Sequence, residues 1–223
     1  MTAEPILAID TATSIAVVAL GDGGELVAED VWAAGYRHGE ELLVRIGRLL
    51  AGRGLEPTDI AAVVVGTGPG AFTGLRVGIA TAKGLAHAIG RPIVGVSTAE
   101  ALIAAAAETS GGRVTLLLPA GPSDRTLVRA GEPARLLSGG TEPDVRSGDV
   151  VVAVDLDGRA AGDALESGTQ ARGRLGATLI RLGTSRLATT GPDDLARLVP
   201  DYVTLPRGIR ASAGQVTWSR DPH

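Results

Sequence analysis

The chain has 223 residues, enough for one large domain or two small lobes, and a chain of this length buries roughly 70% of its unfolded surface. It contains no cysteine, which excludes disulfides, thiolate metal sites and a cysteine nucleophile. With 21 basic and 25 acidic residues, a formal net charge of -4, and only five aromatics, it lacks the cationic surface and stacking platforms of a chain that grips nucleic acid alone.

The N-terminus, Met1–Pro5, has no basic region ahead of an apolar core, and no stretch reaches the roughly 18 apolar residues of a membrane span. The expectation is a soluble, cytoplasmic, globular protein with a core of Leu, Val, Ile and Ala. Pro5–Asp10 and Ile15–Leu20 read as short aliphatic strands, and Gly21–Gly24 is a turn before alternation resumes over Glu25–Trp32. Leu42, Leu43, Ile46, Leu49 and Leu50 predict a helix over Gly39–Ala51, stopped by Gly52 and Gly54. Ile60–Gly66 reads as a buried strand. Thr73 is the expected N-cap of a long helix reaching Ile89. Pro92–Val96 is a further strand, and Ser97–Glu100 matches a capping box opening an Ala-rich helix to about Glu108.

The order β-β-β-α-β-α-β-α predicts an α/β fold of the actin-like, ribonuclease-H-like kind, with a mixed sheet in the first of two lobes. The first lobe is expected over 1–108 and a smaller, degenerate second lobe over 109–205. A frayed tail is expected over 206–223. Within the second lobe, Arg113–Pro119, Arg125–Ala130, Gly148–Asp155 and Ala177–Leu182 read as strands. Gly139–Gly148 and Gly158–Gly176 read as loops or short helices, and Asp193–Val199 as a short helix before Pro200.

The most informative segment is Gly66–Arg76, Gly-Thr-Gly-Pro-Gly-Ala-Phe-Thr-Gly-Leu-Arg, a strand end, a Gly-rich turn and a helix start. Glycines there allow positive φ and close backbone approach, and the open N–H groups of a helix start favour an anion. Three readings stand side by side: a phosphate cradle, a tight strand-to-helix turn, and a surface for a partner. The segment is neither a P-loop nor the dinucleotide fingerprint. Candidates for an anion or composite nucleotide site are Asp10, Thr11, Gly68, Gly70 and Thr73.

Gly66–Arg76 resembles the GxGPGxFTGxR signature of the TsaB family, also called YeaZ. Ile9–Thr13 is similar to that family's IDTST, Arg37–Leu43 to its RxHS-(Q/E)-xLL, and Ala82–Leu85 and Val94–Ser97 to its AKGL and VGVS. Pro200–Val203 is similar to its PxYLR. The resemblance is carried by residues 5–105. Around Pro119–Val128 the chain departs from the family's AxDARRxEVY. The resemblance implies a two-lobed actin-like fold. It implies assembly with the catalytic TsaD subunit and the ATPase TsaE to place threonylcarbamoyl on the adenosine beside the anticodon of ANN-decoding tRNAs. It also implies homodimers, tRNA contact only through the complex, no tightly bound cofactor, and ATP or ADP only in the complex.

The same resemblance separates scaffold from enzyme. TsaD places an HxxxH-type pair just after the strand matched here by Pro92–Val96, whereas this chain reads Ser97-Thr98-Ala99-Glu100-Ala101. Its three histidines, His38, His87 and His223, have no ligand spacing, so neither a metal site nor a catalytic residue is expected. The expected function is a non-catalytic subunit that activates TsaD. The alternative is an actin-fold enzyme in its own right, a peptidase or small-substrate kinase. On the long helix, Gly74, Gly78, Ala82 and Ala86 form one row of small residues, and Ala80, Gly84 and Ala88 a second. The expected partner interface comprises Gly74, Arg76, Gly78, Ala82, Lys83 and Ala86 with His38 and Leu42. Spacing alone does not say which row faces outward.

Overall fold

The computed structural model describes residues 4–33, 35 and 38–203, the side chain of His38 excepted. Arg37 and the expected tail over 206–223 lie outside the described residues. The first sheet holds β1 (Ile6–Asp10), β2 (Ile15–Asp22), β3 (Glu25–Ala33), β4 (Ala62–Gly66) and β5 (Ile93–Val96), in the order β3-β2-β1-β4-β5. The first three strands pair antiparallel, and β1–β4 and β4–β5 pair parallel. Gly23 and Gly24, at φ 59° and 89°, close the hairpin between β2 and β3, because that turn needs positive φ at both central positions.

The aliphatic strands are continuous because both faces of the sheet are covered. Side chains alternate along a strand. Leu7 and Ile9 of β1 therefore enter one core with Leu42, Ile46 and Leu50 of α1 (His38–Ala51) and Ile79 of α2 (Phe72–Ile89). Ile6 and Ala8 enter the other core, with Leu102 of α3 (Thr98–Ser110) and Leu179 of α5 (Leu175–Thr189). Ser97 caps α3 by accepting the Glu100 N–H at 3.3 Å.

The second sheet holds β6 (Arg113–Pro119), β7 (Arg125–Val128), β8 (Arg135–Leu137) and β9 (Asp149–Ala153), in the order β8-β7-β6-β9. Its first three strands are antiparallel and β9 runs parallel to β6. This repeats the β3-β2-β1-β4 pattern of the first sheet without a fifth strand. The duplication is the actin-like arrangement expected from the element order. The second core cluster runs through both sheets, joining Val64 and Val96 to Leu116 and Val152.

Three expectations are corrected. Ala177–Leu182 is not a strand but lies inside α5, which returns to cover the first sheet. Leu175, Gly176, Thr178, Leu179, Ile180 and Gly183 are buried in helical steps, and a Cβ at Gly183 would stand 2.3 Å from Val64. The stretch Gly158–Gly176, expected to hold loops or short helices, carries the short helix α4 (Gly162–Arg172). The N-cap of α2 is Ala71, with Thr73 already inside the helix. Asp193–Val199 forms a single turn, closed by Arg197 and Leu198 N–H donating to Asp194 O. Strand β8 has no counterpart among the expected elements. Among the described residues no helix is long and apolar enough to cross a membrane.

Candidate functional site

The Gly-rich loop is packed onto the end of β1. Asp10 has no exposed surface. Its carboxylate accepts from Thr98 Oγ1 at 2.6 Å and from Ala12 N–H at 2.8 Å. Thr98 Oγ1 in turn accepts Gly68 N–H at 3.1 Å, and Ser97 Oγ donates to Gly68 O at 3.0 Å. A Cβ at Gly66 would stand 1.8 Å from Asp10 Oδ2, and one at Gly70 would stand 2.1 Å from Ala12 O. Gly68 has φ +102°, a conformation that favours glycine. Burial pushes the Asp10 carboxyl up to about 6, against the two hydrogen bonds that favour its charged form. Thr11 Oγ1 donates to Gly74 O at 2.7 Å, and a Cβ at Gly78 would stand 2.2 Å from Thr11 Oγ1.

These glycines therefore serve the chain's own packing, which is the tight-turn reading. Asp10 and Thr11 are enclosed and present no oxygen to a ligand. Gly68 is buried beneath Leu75 and Asp201 O, each 3.1 Å from where its Cβ would stand. Of the five residues expected at an anion site, only Gly70 lines the nearby cleft, while Thr73 is exposed on the first turn of α2.

That cleft, about 840 Å³, lies between the lobes. Thr13, Gly70 and Phe72 form one wall, the Pro119–Asp124 turn and Asp155 the other, and Asp201 and Tyr202 close its rim. Among the described residues its lining holds the carboxylates of Asp124, Asp155 and Asp201 and no Lys or Arg. Among the described residues no group of three or more His, Asp or Glu is placed to hold a metal ion.

The two small-residue rows of α2 separate cleanly. Gly74, Gly78, Ala82 and Ala86 face inward and are buried. Leu42 of α1 is likewise fully buried. These five cannot form the expected partner interface, because the sheet already occupies their surface. Ala80, Gly84, His87 and Ala88 face outward. Gly47 and Gly84 have nothing within 4 Å of where a Cβ would stand. Leu43 and Val44 of α1 are 60% and 50% exposed.

Arg76 and Lys83 are on the surface, but a C-terminal strap engages both. Lys83 Nζ donates to Leu198 O at 3.2 Å, and Arg76 Nε to the Tyr202 hydroxyl at 3.1 Å. The Arg76 guanidinium stacks 3.7 Å from the centre of the Phe72 ring, itself 5.3 Å from that of Tyr202. Main-chain bonds seat the strap: Asp193 N–H donates to Ile93 O and Asp201 N–H to Thr67 O, both at 2.8 Å. Sequence reasoning missed this strap and the exposed pair Leu43 and Val44 as surface. The Pro200–Val203 motif was the available signal for the strap, and two adjacent apolar residues on a helix whose buried stripe is already complete were the signal for the pair.

A family model described as TsaD, tRNA N6-adenosine threonylcarbamoyltransferase, matches residues 33–155. The chain is 43% identical over 93 residues to the tRNA threonylcarbamoyladenosine biosynthesis protein TsaB of Escherichia coli, covering 42% of this chain and 40% of that protein. It is 35% identical over 99 residues to the Bacillus subtilis protein of the same name, covering 44% and 43%. An uncharacterised protein of Mycobacterium tuberculosis is 41% identical over 99 residues, covering 44% and 47%. The matched stretch thus spans less than half the length of each of these curated relatives. Among solved structures, YeaZ from Pseudomonas aeruginosa shares the fold, with TM-score 0.68 at 23% identity over 90% of this chain and 100% of that one.

Proposed function

Because the chain belongs to the TsaD family, in its TsaB (YeaZ) branch, we propose that it is a non-catalytic subunit acting in tRNA threonylcarbamoyladenosine formation, where it binds and activates a TsaD-type transferase. The observation that carries this reading is the outer face of the α1–α2 pair. Leu43 and Val44 stand exposed on α1. Gly47 on α1 and Ala80, Gly84 and Ala88 on α2 leave a low surface of small residues, on which a partner helix can approach closely. Packing of apolar side chains against such a surface is a strong source of association energy in water.

The site after β5 supports the non-catalytic part of the proposal. Where a transferase would need ligating histidines, this chain has Ser97 and Thr98, and both hydroxyls are used to hold Gly68 and Asp10. ATP or ADP is expected only at a composite surface, since the described residues of the cleft's own lining supply no cation. TsaE joins through the assembled pair, and tRNA is contacted through the complex. A second copy of this chain would use the same α1–α2 face as TsaD, so homodimer and heterodimer compete.

The test is co-expression with the host's TsaD-type subunit. Wild-type chain is expected to co-purify with it, and Gly84→Leu to be lost from the complex while melting no lower than wild type. Metal-dependent peptidase turnover, or phosphoryl transfer to a small substrate, by the isolated chain would instead establish the enzyme reading.

A further inference from the structure

Ser14 belongs to the first lobe, in the turn between β1 and β2. Asp155, two residues past β9, and Arg172, the last residue of α4, belong to the second. The Asp155 carboxylate bridges them. It accepts from Ser14 N–H at 2.6 Å, from Ser14 Oγ at 2.5 Å and from Arg172 Nη1 at 2.7 Å. Arg172 Nη1 also donates to Ser14 Oγ at 3.2 Å. The cluster is largely shielded, the Arg172 and Asp155 side chains being 22% and 17% exposed.

Two further features set this cluster apart from an ordinary ion pair. Asp155 has φ +56°, the one non-glycine residue in the left-handed region among the described residues. Such a conformation persists where surrounding bonds over-determine it. Asp155 also lines the interlobe cleft, beside Thr13 of the turn it binds. A backbone N–H and a hydroxyl converging on one point, next to an arginine, form a recognition set for an oxyanion. Here that set is filled by the chain's own carboxylate.

We propose that Asp155 is an interlobe latch, an internal anion that seats on the β1–β2 turn, holds the cleft closed and denies the turn to an external oxyanion. The remainder of the fold makes such a device workable. The lobes share a continuous apolar core through α3 and α5, so they stay joined along one side whatever the latch does. The direct interlobe contact of Asp155 with Ser14 lies at the cleft. Releasing it opens the cleft without unfolding either lobe. The arginine nearest the turn, Arg172, is already committed to Asp155.

The cysteine-free chain allows a direct test. Thr73→Cys and Ser123→Cys place one spin label on each rim of the cleft, both at exposed positions. Asp155→Gly removes the carboxylate and is suited to the left-handed φ, so local folding is protected. Arg172→Met leaves the carboxylate held by Ser14 alone. The expected result is a narrow interlobe distance distribution in the labelled parent, a longer and broader one in Asp155→Gly, and an intermediate one in Arg172→Met. In parallel, inorganic phosphate is expected to shift the Ser14 amide resonance saturably in Asp155→Gly and not in the parent. An Asp155→Gly distribution matching the parent's, in a protein that still melts cooperatively, overturns the latch. A Ser14 amide that answers phosphate equally in both proteins overturns the masking of the turn.

Discussion

Gly78 and Gly84 stand six residues apart on α2, and replacing each by alanine should move stability in opposite directions. In a helix interior, glycine costs about 1 kcal/mol relative to alanine, so chemistry alone predicts the same gain at both. Their surroundings decide otherwise. A Cβ at Gly84 meets nothing within 4 Å, so Gly84→Ala should keep the whole gain. A Cβ at Gly78 would lie 2.2 Å from Thr11 Oγ1, which is buried and bonded to Gly74 O at 2.7 Å. Thr11 must then turn away or α2 must lift. An orphaned buried hydroxyl costs about 1–3 kcal/mol and overpacking about 1–3 kcal/mol, against the gain of about 1. The net loss is about 1–5 kcal/mol. For a chain of this length 1 kcal/mol corresponds to about 2–4 °C, so Tm should rise by a few degrees in Gly84→Ala and fall by roughly 2–20 °C in Gly78→Ala. Differential scanning calorimetry reads both. The double variant Thr11→Ala/Gly78→Ala should recover much of the loss, with a coupling of roughly 1–3 kcal/mol. If both alanines stabilise alike, or the Gly78→Ala loss is undiminished without the Thr11 hydroxyl, the inward assignment of the Gly74–Gly78 row is wrong.

Asp10→Asn tests the buried carboxyl. Its folded pKa is raised from 3.8 to about 6, so its ionisation favours the unfolded state: its favourable contribution is complete below about 4 and lost as pH rises through about 6. At about 1.4 kcal/mol per unit, the carboxylate costs about 3 kcal/mol at pH 7.5. Asp10→Asn should then melt higher than wild type at pH 7.5, and the difference should shrink between pH 6 and pH 4; a pH-independent difference contradicts this. Tyr202→Ala should free only the end of the strap. Exchange of the Asp201 amide should quicken while that of Asp193 stays unchanged, with stability altered by less than about 1 kcal/mol. Equal acceleration at both amides would mean the strap is held as one unit and Tyr202 does not fasten its end.

The first sheet was legible in the sequence because all its strands but the edge strand β3 are buried on both faces. Aliphatic runs such as Ile6–Asp10 and Ala62–Gly66 can do little else, and the Gly23-Gly24 turn fixes the hairpin. The second lobe was less legible for physical reasons. Strand β8 has three residues and leaves Leu136 51% exposed, so it carries no pattern. Residues 177–182 form an apolar run that periodicity alone reads as strand, and only the close packing of Gly176 and Gly183 against the first sheet makes it a helix. The repeat of strand order between the sheets is a property of topology with no matching residues. At the site, the sequence identified the Gly-rich loop as special but left its purpose open. Contacts from Asp10, Ala12 and Thr11, distant in sequence, decide that its glycines admit the chain's own atoms. The two rows of α2 are equivalent by spacing, and only the position of the sheet distinguishes them.

The central claim, that this chain serves the transferase through the outer face of α1 and α2 and does no chemistry of its own, is tested most directly by reconstituted tRNA modification. Purified TsaD-type and TsaE-type subunits of the host, tRNA and the activated threonylcarbamoyl donor are combined with no chain, with wild-type chain, or with Gly84→Leu. The account predicts modified adenosine only with the wild-type chain, no product from that chain without the transferase, and none with Gly84→Leu despite a melting temperature no lower than wild type. Product formed by the chain alone, or full modification supported by Gly84→Leu, would contradict it.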